Sequence, residues 1–99
     1  MIREAESAIG IRDLERAVEI LDRVALRAIA STVAALGTTD SPRDPLVAIG
    51  LLGLDGRRYL AFRALVRDVR AGAKVSDRLA LGAYAFLLEL RSARSRIGL

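Results

Sequence analysis

An all-α fold, a small four- to five-helix bundle, is what this sequence predicts, and three observations carry it. Apolar residues recur at three- and four-residue spacing through most of the chain, the period of a helix with one buried face. Helix starts and stops stand between the periodic segments, at Gly37, Asp44-Pro45, Gly72 and Ser76-Asp77. The chain is 53% hydrophobic and 28% charged, yet the two classes are segregated into blocks rather than mixed. Ninety-nine residues make a single helical domain, 1–99, near the low end of comfortable independent stability.

The elements follow in order. Ile2 to Ile9 reads as a short helix with Gly10 as a bend. Arg12 to Leu36 reads as a long amphipathic helix, because Leu14, Val18, Leu21, Ala25, Ala28 and Thr32 keep an alternating four-and-three spacing. Glu15, Arg16, Glu19, Asp22 and Arg23 are assigned to its opposite, solvated side, where Glu19 and Arg23 form an i,i+4 pair. Gly37 stops that helix, and Thr38 to Asp44 is a cluster of turn formers. Asp44 caps and Pro45 opens a short third helix over Leu46 to Leu54, apolar on every side. A helix without a polar face is either central or lies beneath a partner.

Asp55-Gly56 supports a rival fold, α+β with a hairpin around that pair, because Asp-Gly between apolar runs is a strong hairpin signal. Its strand content would be confined to residues 46–64. Against it, residues 57–70 do not alternate and keep the helical period, with Phe62, Leu65, Val66 and Val69 on one face. Gly72 ends this helix. Ser76 or Asp77 caps the last one, where Leu79, Ala83, Phe86, Leu87, Leu90 and Ile97 mark one stripe and Leu81, Tyr84 and Leu88 a second. Two stripes make Leu79 to Leu90 the expected best-buried segment. Arg91, Arg94 and Arg96 close it, at the negative end of the helix macrodipole.

Composition excludes several kinds of chemistry. The chain has no Cys and no His, so disulfides, thiolate chemistry, zinc sites of the usual kind and His-activated nucleophiles are all ruled out. Absence of Cys suits a reducing, cytoplasmic setting. The N-terminal Met1-Ile2-Arg3-Glu4 is charged at once, unlike a signal peptide. The long uncharged stretches Ala28 to Thr39 and Pro45 to Leu54 fall far short of the ~20 residues that span a bilayer. Gly50, Gly53 and Gly56 lack the spacing and the Lys-Ser/Thr pair of a phosphate loop. Glu15, Glu19 and Asp22 share a helical face, but Arg12, Arg16 and Arg23 interleave with them, so neither a metal site nor an acid/base pair is expected. Asp40 and Asp44 serve a turn and a cap, and Ser76 has no base near it in sequence. No constellation supports an enzyme, and no cofactor is implied.

Charge points outward. Net charge is +4, and residues 1–44 carry six Arg against eight Asp/Glu, while residues 45–99 carry ten Arg/Lys against four. The second half is therefore strongly basic, which suggests an anionic partner. Arg63, Arg67, Arg70 and Lys74 stand at i, i+4, i+7 and i+11, within about 60° on a helix. Tyr59 sits one turn earlier, and Arg57 and Arg58 stand at the helix start. These seven residues are the candidate nucleic-acid-binding set: the cations for phosphates, the ring for stacking. Surplus apolar sequence is the second signal, because one small core has little room for all of it; this points to a homo-oligomer or a larger protein complex.

In size, helicity and basicity the chain resembles the small subunits of CRISPR surveillance complexes. That resemblance implies a non-catalytic helical subunit that contacts nucleic-acid backbone inside a larger assembly. The alternative is a homo-oligomeric scaffold or protein-interaction domain with no nucleic-acid role.

Overall fold

The structure, a computed structural model, describes residues 2–36 and 45–99. Among the described residues, five helices form a small all-α bundle: α1 (Ile2–Gly10), α2 (Leu14–Leu36), α3 (Pro45–Leu51), α4 (Gly56–Arg70) and α5 (Asp77–Arg96). No strand occurs among the described residues, so the hairpin alternative falls. The reason is local. Asp55 takes an extended conformation and its Oδ1 accepts from the Arg57 N–H at 2.9 Å, so Asp-Gly opens α4 as a cap. Gly53, at φ +76°, has already turned the chain out of α3. Gly37, Asp40, Asp44 and the expected loop 38–44 lie outside the described residues.

Helix α2 is central: α1, α3, α4 and α5 all pack on it, while α3 also meets α4 and α4 meets α5. Its 23 residues span about 35 Å. Four neighbours explain why its buried arc is wider than a single stripe, taking in Ala17, Ile20 and Ile29 besides Leu14, Val18, Leu21 and Ala25. Paired residues give the directions. Glu15 meets Val75 and Thr32 meets Arg94, so α2 and α5 run parallel. Asp22 meets Arg63 and Arg70 while Glu15 meets Lys74, so α2 and α4 run antiparallel.

The ends of α1, α3, α4 and α5 share one device. After α3, α4 and α5 the chain turns through Gly53, Gly72 and Gly98, all at positive φ. In each case the following N–H reaches back five residues, as from Leu54 to the Ile49 carbonyl at 3.1 Å. Helix α1 ends in the same way with no glycine at the turn. Asp13 N–H donates to the Ala8 carbonyl at 2.8 Å, and the left-handed residue is Arg12, at φ 62°. The bend expected at Gly10 is thus displaced by two residues, and α2 begins at Leu14 rather than Arg12.

Helix α5 departs most from its sequence pattern. Ala80, Ala83, Phe86, Leu87, Leu90 and Ala93 are buried, but Leu79, Leu81, Leu88 and Ile97 are 41–53% exposed. Leu81 and Leu88 of the second stripe lie off the side of α5 that α2 and α4 cover. Tyr84, half-buried, sends its hydroxyl to Glu6 Oε2 at 2.6 Å.

Candidate nucleic-acid interface and its surroundings

The basic line on α4 turns out to be half of an ion-pair seam. Asp22, assigned by its sequence to the solvated side of α2, is 1% exposed. Its Oδ1 accepts from Arg63 Nη1, and its Oδ2 accepts from Arg70 Nη2 at 2.6 Å. Arg63 and Arg70 are two turns apart on α4, so both can reach one carboxylate on the facing helix. Further along, Glu15 Oε2 accepts from the Val75 N–H at 3.3 Å, and Lys74 Nζ lies 4.0 Å from Glu15 Oε1. Arg67 lies between, 3.6 Å from its neighbour Asp68 and 78% exposed at the side chain. Four cations therefore face three carboxylates, and the ridge keeps one net positive charge.

The sequence did carry a signal for this. Asp22 is four residues beyond Val18 and three before Ala25, inside the apolar stripe, where only a paired carboxylate is tolerated. Glu15 and Asp22 repeat the seven-residue spacing of Arg63 and Arg70. By contrast, no ion pair joins Glu19 to Arg23 among the described residues. Glu15, Glu19 and Asp22 do not gather into a metal site there either.

The rest of the candidate set divides. Tyr59 is 6% exposed, its ring 6.3 Å from that of Phe86, which in turn lies 5.3 Å from Phe62. Buried in this aromatic row, Tyr59 has no open face on which a base could stack. Arg58 donates through Nη1 to Glu89 Oε2 on α5. That hydrogen bond holds the Glu89 carboxyl below its ordinary range and raises Arg58 in turn, with desolvation opposing both. Arg57 is 94% exposed at the side chain, with Asp55 at 3.8 Å. The structure thus brings Arg63, Arg70 and Lys74 together around α2, ties Arg58 to α5, and leaves Arg57, Arg67 and Lys74 reaching into solvent.

Apolar surface is the other candidate. Among the described residues, eleven large hydrophobic side chains are 41–78% exposed. Leu46, Val47 and Leu51 are on α3, Leu60 on α4, and Leu79, Leu81 and Leu88 on α5. Between α4 and α5 runs an open groove of about 270 Å³, floored by Phe62, Leu65, Ala83 and Phe86, with Leu79 and Gly82 on its α5 side. A Cβ added at Gly82 would meet nothing within 4 Å, so no contact inside the chain requires glycine there. No described helix is long and apolar enough to cross a membrane. Comparison with known protein families, curated proteins and solved structures finds no match to this chain.

Proposed function

We propose that this chain is a non-catalytic helical interaction domain that associates with copies of itself through the apolar faces of α3, α4 and α5. One observation carries the reading: among the described residues, seven of the eleven exposed large hydrophobics sit on these three helices. Exposed apolar side chains gathered on neighbouring helices suit an association surface. A second copy is the favoured cover. Residues 45–54 carry no charge, so the α3 face is compatible with itself, whereas the net +4 elsewhere repels another copy.

Sedimentation across micromolar concentrations tests this. The mass should exceed that of one chain, and Leu51→Glu with Val47→Glu should return it to a monomer. A parent chain that stays monomeric and binds no apolar dye would defeat the proposal.

Contact with nucleic-acid backbone is the second reading, supported by Arg57, Arg67 and Lys74, each at least 78% exposed at the side chain. In this form the chain is a small subunit of a larger ribonucleoprotein assembly. Three phosphate contacts imply a salt slope of about −2 on single strands. A slope indistinguishable from zero would remove this reading.

A further inference from the structure

A second groove lies between the C-terminal halves of α2 and α5, away from the α4 ridge. Two adjoining hollows of about 310 and 300 Å³ share Val24, Ala28 and Arg94. Both helices contribute an i, i+3, i+4, i+7 stripe, from Val24 to Ser31 and from Leu87 to Arg94. Two parallel stripes make a trough about 10 Å long, with Ile2 closing one end. Its floor is apolar: Ile2, Val24, Ala28, Leu87 and Leu90.

The charged lining has a single sign. Arg91 and Arg94, with Arg27 at the rim, line the two hollows, and among the described residues no carboxylate does. Arg94 is held by neutral groups: Nε donates to Thr32 Oγ1 and Nη2 to Ser31 Oγ, both at 2.9 Å. Thr32 Oγ1 is itself fixed, donating to the Ala28 carbonyl at 2.7 Å. Two of the five guanidinium N–H groups are thus engaged, and Nη1 and one hydrogen of Nη2 are left for an acceptor outside the chain. An arginine oriented in advance loses little freedom on meeting a carboxylate, and such charge-assisted pairs are the strong ones. A role confined to the helix macrodipole does not describe this arrangement. Arg94 bonds to side chains of α2 rather than to the last carbonyls of α5, and Arg91 stands more than a turn before the helix end.

We propose that this trough binds an acidic amphipathic helix from a protein partner, its leucines on the apolar floor and its carboxylates on Arg91 and Arg94. A phosphate backbone would satisfy the arginines but leave the floor uncovered. A helix laid along the trough covers both, in the helix-in-groove manner. The inference does not depend on self-association: both involve α5, but the trough is lined by its Leu87, Leu90, Arg91 and Arg94, and the exposed Leu79, Leu81 and Leu88 are not in that lining.

The test uses the full chain and a fluorescein-labelled synthetic helix of roughly 14 residues, two turns of contact and two of flank. It carries Leu at i, i+3 and i+7 and Glu on both flanks; a twin carries Gln for Glu. Anisotropy should show saturable binding of the Glu peptide, at least tenfold weaker for the Gln twin and for Arg91→Gln. Arg94→Gln should lose as much, with Arg94→Lys between, and circular dichroism checks that each variant is folded. Arg91 is exposed and makes no ion pair among the described residues, so its variant keeps the test sound if Arg94→Gln does not fold. Equal affinity for the two peptides, or binding untouched by Arg91→Gln, would overturn the proposal. So would a poly-dT oligonucleotide or an anionic phosphatidylserine vesicle that displaces the peptide and shows the same Arg91 dependence at higher affinity.

Discussion

Removing the Asp22 carboxylate should be among the most damaging single changes outside the apolar core. Asp22 is 1% exposed and is the shared acceptor for Arg63 and Arg70, whose side chains are 30% and 57% exposed. Breaking a buried pair by deleting one partner costs about 3–5 kcal/mol, because the other charge is left desolvated. Here Arg70 can swing into water and Arg63 only in part, which places Asp22→Ala near the lower bound, about 3 kcal/mol. For a domain of this length that lowers the melting temperature by roughly 12 °C or more. Arg70→Met should cost about 1 kcal/mol or less, since its exposed charge loses little and Arg63 still serves Asp22. The triple change Asp22→Leu, Arg63→Met, Arg70→Met should recover most of the loss, because an apolar seam needs no compensation. Urea unfolding followed by circular dichroism at helical wavelengths measures all three. If Asp22→Ala loses less than about 1 kcal/mol, the carboxylate does not hold α4 on α2, and the free-ridge reading of the basic line returns.

Four further outcomes follow from single features. Gly82→Ala should raise stability by about 0.5–1 kcal/mol, since a Cβ there meets nothing and glycine is a poor interior helix residue; a lowered urea midpoint would show that the helix is not formed as described. Arg12→Gly should gain about 1 kcal/mol from the left-handed turn, reduced by loss of the exposed Arg12–Asp77 pair at 2.8 Å; Arg12→Val should be less stable than the parent, and the reverse order in thermal melts would contradict the turn. Glu89 is lowered by its hydrogen bond to Arg58, so its contribution is full above the ordinary 4.5 and fades as pH falls through the lowered value. Tyr84 is raised by its hydrogen bond to Glu6, so its contribution is full below the ordinary 10.0 and fades as pH rises through the raised value. Glu89→Gln should therefore flatten the acid limb of a stability-against-pH curve and Tyr84→Phe the alkaline limb, and unchanged limbs would dissociate these bonds from stability.

Local chemistry was enough to place the helices of this protein along the chain, though not all of their ends. The 3.6-residue period, the Ser76 cap with its Oγ accepting from the Leu79 N–H, and the stop at Gly72 depend on neighbours a few residues away, so they are legible along the chain. The apolar face of Phe62, Val66 and Val69 was legible for the same reason. The turn at Arg12 was not, because an arginine takes left-handed φ only when the flanking helices require it. Tertiary structure decided which charges are spoken for. A line of four cations has the same periodicity whether it faces solvent or an acidic helix, and Asp22 reaches Arg63 and Arg70 across 41 and 48 residues of chain. It also decided that Leu81 and Leu88 stay outside, since burial depends on which helices come to pack against α5. Helices form from contacts within one turn, whereas the choice of partner surface depends on how five of them are arranged around α2.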